Sequence, residues 1–345
     1  GVRPRHRVRD VPHQTPRANG FSSFHCPSLF LSQGYGKICL LNQKGGEDMP
    51  DTGNEIVYHY CSLETFKNII ENECLWLCDV EKSNDSQERI YFEKIMLDQI
   101  DLYAEELKNK NNASKEHALC ALQLIKEALQ NHKAERAPVY SCCFSCSGDQ
   151  LSQWRGYADD GYGVAIGFDS SIFQKYLPNE TFRPVVYDPK DAKAQCKNIL
   201  EQAVDHFSRL EESLHKSISM YQLYGEVLYS MGIDAIYFKS HFFYEENEYR
   251  LMTIDPSDDE ESPSLYQIEG HPFIYSSPSV ITPDNNQIFQ LSEKKWRVSK
   301  RGLSAYYEFL FSNIKNDIIK SIILGPKCPA EKQDIIQFLK FNDYS

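Results

Sequence analysis

Phe242-Phe243-Tyr244-Glu245-Glu246-Asn247-Glu248-Tyr249-Arg250-Leu251-Met252 is aromatic and β-prone, with carboxylates set into it. Read as an extended strand over residues 244–254, it puts Glu246 and Glu248 on one face, because residues i and i+2 share a side of a strand. Apolar flanks and a neighbouring like charge both raise a carboxylate pKa. Such a pair can divide its work, one member stabilising a positive centre and the other handling a proton. The alternative is a solvated edge strand whose glutamates pair with Arg250. The residue types of this stretch allow both.

Outward from it, residues 56–60 read as a strand, and Ser62 as the N-cap of a helix with Phe66, Ile69 and Ile70 on its apolar face. Further strands are expected at about 74–80, 139–146, 163–168, 305–311 and 318–324, with 182–187 short and extended and weak, proline-broken strands over 263–300. Helices are expected at about 87–108, 114–134, 191–229 and 331–341, together with a short one ending near Trp154 and capped by Asp149. Residues 233–239 are ambiguous and read better as helix. Strands interrupted by helices, without regular βα alternation, predict an α+β fold with mixed, mainly antiparallel sheets. The expected body is one domain over about 55–340, with helical insertions at about 87–134 and 191–229.

Residues 1–48 differ. They hold seven Lys or Arg against three Asp or Glu, show no hydrophobic periodicity, and precede the first methionine, Met49. They read as a non-native extension or, alternatively, a basic disordered arm. The whole chain has 345 residues and a net charge of −12, which disfavours nonspecific binding to duplex DNA. No apolar run reaches the length of a membrane span. Eleven scattered cysteines suggest reduced thiols and a cytoplasmic setting rather than a disulfide frame. Cys142, Cys143 and Cys146 lack a second cluster at zinc-ligand spacing, so no metal site is expected.

Three further constellations carry chemistry. His59, between Tyr58 and Tyr60, sits where a strand-end imidazole can donate to a hydroxyl or phosphate. Ser141, Cys143 and Ser145 share a strand face, where small hydroxyls can orient a glutamate or touch a ligand. Trp154 and Tyr157, three apart, can form an aromatic wall beside Arg155, which suits a flat cationic ring and a pyrophosphate. Each of these also fits ordinary core packing.

The ordered series Tyr58-His59-Tyr60, Asn84-Asp85 with Glu88, Trp154-Arg155-x-Tyr157-Ala158, Gly163-x-x-Ile166-Gly167-Phe168, Glu246-x-Glu248-Tyr249-Arg250 and Ile323-Leu324-Gly325-Pro326 resembles a widespread bacterial domain family of unknown function. A weaker resemblance is to ADP-ribosyltransferases, through His59, then Ser145 or Tyr157, then Glu246-x-Glu248. The chain departs from them in the middle strand, which reads Ser-Cys-Cys-Phe-Ser. That resemblance implies an ADP-ribosyltransferase-like fold with NAD as substrate. Glu248 would stabilise the ribosyl cation and Glu246 would serve the acceptor. His59, Ser145, Trp154, Arg155, Tyr157 and Arg250 would bind the nucleotide. The acceptor could be a protein side chain, a nucleic-acid base or water. The rival class is a non-enzymatic nucleotide- or nucleic-acid-binding module in a bacterial defence or toxin setting. A third option is a metal-dependent nuclease using Asp85, Glu88, Glu246 and Glu248, for which a lysine partner is not evident.

Overall fold

Segments rich in β-branched and aromatic residues suit a pleated surface buried on both sides. In the computed structural model, which describes residues 37–39, 56–82, 88–109, 115–131, 139–178, 181–213, 233–254, 288–299 and 302–344, they join one 11-stranded sheet. The elements are β1 (Lys37–Cys39), β2 (Ile56–Cys61), α1 (Leu63–Asn72), β3 (Cys74–Asp79), α2 (Glu88–Lys108), α3 (Lys115–Asn131), β4 (Val139–Ser145), α4 (Leu151–Gly156), β5 (Val164–Asp169) and α5 (Ser170–Tyr176). They continue with β6 (Phe182–Pro184), α6 (Pro189–Ser213), β7 (Glu248–Ile254), β8 (Gln290–Leu291), β9 (Lys295–Ser299), β10 (Gly302–Leu310), α7 (Lys315–Ile318), β11 (Ile319–Leu324) and α8 (Lys332–Phe341). The class is α+β, as expected, and the described strand pairings are all antiparallel.

The main strand order is β1-β11-β5-β2-β4-β3-β10-β8, with β7 and then β6 added on β4 and β9 added on β10. The sheet forks at β4. One edge of β4 pairs with β7 along its length, from Val139 opposite Ile254 to Ser145 opposite Glu248. The other edge is shared: β2 meets it at Ser145, and β3 meets it at Ser141 and Tyr140. Between those contacts β2 and β3 diverge, and Cys142–Phe144 face the opening.

Side-chain alternation sorts the cores. Tyr140, Cys142, Phe144 and Leu251 point to the face covered by α1, α5 and α8, where Phe66, Phe173 and Leu339 pack on them. Val139, Met252 and Ile254 point the other way, onto Phe92, Leu122 and Leu200 of α2, α3 and α6. A third cluster, Tyr58, Tyr60, Trp154, Ala158, Ala165 and Ile323, lies under α4. By register, Cys143, Ser145, Glu248 and Arg250 share the face of β4 and β7 that carries Val139 and Met252.

Local signals explain the elements that the sequence predicts well. Ser62 accepts a hydrogen bond from the Thr65 amide at 3.1 Å, the N-cap that starts α1. Asp149 does not cap α4 as expected. Gln150 occupies the cap position, and Asp149 instead accepts the Trp154 indole N–H at 2.8 Å. Within the stretch expected to be a disordered or non-native extension, Lys37–Cys39 forms β1 and pairs with β11, Lys37 opposite Ile323. A strand edge offers open backbone groups to any short extended segment, whatever its side-chain pattern. The other residues of 1–48 lie outside the described set.

Gly163 leads from the loop after α4 into β5 and lies against the end of β2. A Cβ placed there would stand 2.0 Å from the Cys61 carbonyl oxygen, a backbone atom that cannot swing away. Gly163→Ala is therefore expected to lower stability by roughly 3 kcal/mol, measured by urea unfolding. A loss below about 1 kcal/mol would mean that the strand shifts freely.

Candidate functional site

Glu246 and Glu248 do not lie on one continuous strand. His241–Glu246 forms a 3-10 turn, Asn247 is left-handed at φ 43 and ψ 59, and β7 begins at Glu248. Asn tolerates that conformation better than most residues. Ser145 fastens the turn: its buried hydroxyl donates to the Glu246 carbonyl at 2.8 Å, and the Cys146 amide donates to the Asn247 carbonyl at 2.9 Å. Ser145 is thus a brace for the acidic turn, and the expected strand over 244–247 is lost to it. The carboxylates meet by another route, through a lysine.

Lys239 is 3% exposed. Its Nζ lies 2.5 Å from Glu246 Oε2, 3.3 Å from Glu248 Oε1 and 3.3 Å from Glu88 Oε1. Its backbone is held by Val186 on the far side of the turn, with the Lys239 amide donating at 3.1 Å. Arg250 completes the cluster. Its Nε and Nη2 donate to Glu248 Oε2 at 3.0 and 2.6 Å, and its Nη1 and Nη2 clamp Glu88 at 2.6 and 2.7 Å. Nη1 also donates to the Ile236 carbonyl. Three carboxylates and two cations are thus packed where water is scarce. Lys239 was absent from every expected site, and Glu88 from the expected nucleotide site, although the nuclease reading named it. Glu88 stands in the ordered motif series and among the carboxylates of the nuclease reading. Lys239 lies in the ambiguous 233–239 segment, where no periodicity marks it. It also sits among the carboxylates for which the nuclease reading lacked a lysine. Asp85 lies outside the described residues. Among the described residues, no group of three or more His, Cys, Asp or Glu is placed to hold a metal ion.

The pair is electrostatically split. Burial, then the hydrogen bond and charge of Glu248, push Glu246 up to about 7, against the pull of Lys239. Burial also acts to raise Glu248, but Arg250 and Lys239 outweigh it and hold the carboxyl down to about 2. Burial alone would lower Lys239 and Arg250; the surrounding carboxylates reverse this and keep both charged.

A cavity of about 140 Å³ opens at the fork. β2 contributes Tyr58, His59 and Tyr60, β3 contributes Trp76 and Cys78, β4 contributes Ser141–Phe144, and Gln153, Tyr157 and Glu248 close it. His59 and Glu248 leave their strands on opposite faces by register, so they share this cavity through the opening in the sheet. Burial depresses the His59 pKa and favours the neutral ring, although the Cys143 carbonyl, 3.0 Å from Nδ1, works the other way. Burial likewise pushes the Cys143 thiol up to about 12, leaving it protonated.

Other expected binding residues are placed differently. Trp154 is 2% exposed and packs edge-on against Tyr60, with ring centroids 4.7 Å apart, so it has no free face for a ligand. Its i+3 relation to Tyr157 does not give one wall, because α4 ends at Gly156 and Tyr157 has non-helical φ −127. Tyr157 alone reaches the cavity. Arg155 is exposed and is not among the cavity-lining residues. Arg250 is occupied by Glu88, Glu248 and Ile236, so it braces the site and has little left to offer a pyrophosphate.

The split pair has a pH signature. Between 4.5, the value of a free Glu246 carboxyl, and about 7, the folded chain keeps a proton that the unfolded chain has released. Stability attributable to Glu246 therefore falls as pH rises through that window. Glu248 contributes oppositely: its stabilisation is present above 4.5 and is lost as pH falls toward about 2. Glu246→Gln is expected to flatten the decline in melting temperature between about pH 5 and pH 8, an effect on the order of 2 kcal/mol. An unchanged slope would show that Glu246 titrates as a solvated carboxyl.

Among the described residues no helix is long and apolar enough to cross a membrane, and the cysteines are free thiols. No curated protein and no solved structure matches the chain, so no similarity to ADP-ribosyltransferases emerges. Residues 153–251, which span Gln153, Tyr157, Lys239, Glu246, Glu248 and Arg250, match the model of the family described as protein of unknown function (DUF2971).

Proposed function

We propose that the chain cleaves the bond between nicotinamide and ribose in NAD and passes ADP-ribose to water or to an acceptor. The observation that carries this reading is the split carboxylate pair beside a cavity of one-ring size. At about 140 Å³ the cavity resembles those of roughly 150 Å³ that accept a single benzene-sized ring, well short of the ~300–1,000 Å³ of sites that engulf a whole ligand. The nicotinamide ring would enter between aromatic walls, and the ADP-ribose portion would stay outside the mouth.

In the step envisaged, the ribose C1′–N bond breaks and its electron pair stays on the ring nitrogen, so nicotinamide leaves neutral and needs no proton. The positive charge develops on the ribose. Glu248, an anion under these conditions, accepts a hydrogen bond from the 2′-hydroxyl and stabilises that charge. The acceptor's lone pair then bonds to C1′ and its proton is released to Glu246, whose pKa near 7 suits a base at neutral pH. Lys239 and Arg250 hold the two carboxyls in position.

A second reading has its own support. Both Glu248 oxygens are engaged by Arg250 and Lys239, an arrangement that would equally well stiffen a non-catalytic nucleotide-binding module. The two separate on incubation of the full chain with NAD, with free nicotinamide followed by chromatography alongside a thermal melt. Release of nicotinamide supports cleavage. A raised melting temperature without release supports binding alone. Neither effect, with water or with a protein or oligonucleotide acceptor, would overturn the NAD reading.

A further inference from the structure

Gln153 is the group on the cavity wall that the proposed chemistry leaves without a task. It sits in α4, is 6% exposed, and its Nε2 has no hydrogen-bond partner among the described residues. Leaving a buried amide donor unpaired costs roughly 1–3 kcal/mol, and an orphan of this kind calls for an explanation such as a missing ligand or water. Three of its polar neighbours on the wall are already engaged. The Tyr60 hydroxyl donates to the Ser147 carbonyl at 2.7 Å and accepts from the Gln150 amide at 3.0 Å. His59 Nδ1 is 3.0 Å from the Cys143 carbonyl. Glu248 is tied to Arg250 and Lys239. The aromatic and cysteine side chains that make up most of the remaining wall bind a flat ring, and none of them presents the paired donor and acceptor of an amide.

We propose that Gln153 is a specificity-determining residue that pairs its side-chain amide with the carboxamide of the bound ring, a role that rests on the nicotinamide ring entering the cavity as proposed. A primary amide presents a donor and an acceptor side by side, and the complementary edge is another amide. A carboxylate in the same place would satisfy the donor. It would also bring a negative charge against the Gln153 carbonyl and toward a cluster of three carboxylates and two cations. A ketone would satisfy the donor and leave the acceptor unmatched. The cavity therefore selects aromatic amide over acid and over ketone, in the way that a site built to hydrogen-bond a group rejects analogues that lack it.

The test is calorimetric titration of the full chain with nicotinamide, nicotinate and 3-acetylpyridine, beside turnover of NAD and of its analogue with a carboxylate in place of the carboxamide. The wild type is expected to prefer nicotinamide by about tenfold. Gln153→Met, close in volume and without the amide, is expected to erase that preference. Because it removes an unsatisfied buried group, its melting temperature without ligand should stay level or rise. A residue that merely supports the fold would instead lower the melting temperature and leave the three affinities in their original ratio. Should Gln153→Met fail to fold, Gln153→Glu takes its place, expected to lose the preference for nicotinamide over nicotinate. Equal wild-type affinities, or no binding of any of the three, overturn the inference. An amide preference without NAD cleavage sinks the proposed reaction and leaves the role of Gln153 standing; cleavage of both dinucleotides at equal rates does the reverse.

Discussion

Glu248→Gln is expected to reduce nicotinamide release from NAD by about 10²–10³-fold with little change in KM. Removing one preorganised group aimed at developing charge typically costs that much in turnover, about 3–4 kcal/mol. The amide keeps the shape of the carboxyl and loses the charge that the ribosyl cation needs. The fold should survive, because two carboxylates, Glu88 and Glu246, remain for Lys239 and Arg250. Loss of the like charge at position 248 also removes part of what raises Glu246, so that carboxyl should ionise at lower pH and keep the cluster close to neutral. Stopped-assay kinetics with the wild type and the variant, checked by matching melting curves, decide the matter. Turnover within about threefold of wild type would remove Glu248 from the role proposed for it.

Arg250→Met is the substitution with the largest expected structural effect, a loss of roughly 3–5 kcal/mol. Glu248 is 4% exposed, Arg250 is equally buried, and the guanidinium serves two carboxylates at once. Taking it away leaves the buried Glu248 and the partly buried Glu88 with Lys239 as their shared cation. Against a total domain stability of about 5–15 kcal/mol, this approaches the margin for folding. Arg250→Lys should recover only part of the loss, since an ammonium cannot reproduce the bidentate fork that meets Glu88. Urea unfolding measures both. If the Met variant lost less than about 1 kcal/mol, the cluster would be open to water and the carboxylates solvated.

The effect also reaches beyond the strand. Glu88 is the first residue of α2, so its pairing with Arg250 ties the helical insertion to the central strands. Deleting that link should loosen α2 against β7 as well as unbalance the site. Hydrogen exchange in the first turn of α2 would report it directly.

Much of the scaffold was legible from short-range chemistry. The N-cap at Ser62, the apolar face Phe66, Ile69 and Ile70, and the alternation in β2 and β4 each depend on a few consecutive residues, and each forms the element they predict. The site was legible only in part. Glu246 and Glu248 were found because they lie close in sequence, yet the geometry expected for them was wrong. A left-handed Asn247 and the Ser145 brace replace the first part of the strand with a turn. Trp154 and Tyr157 invited a shared helix face, but the helix stops between them. Lys239 lay in a segment without periodicity, and its meaning comes from three carboxylates on three other elements: α2, the 3-10 turn and β7.

The amino-acid sequence by itself determined the α+β class, most of the elements and their alternating faces, because caps, turns and periodicity act over a few residues. What tertiary structure decided was which charges meet and where a ligand could enter. Arg250 and Glu88 stand 162 residues apart in the chain and 2.6 Å apart in space, and the cavity exists because β2 and β3 part company along one edge of β4. Electrostatic pairing in a dry interior depends on distance through space, which local propensity does not encode.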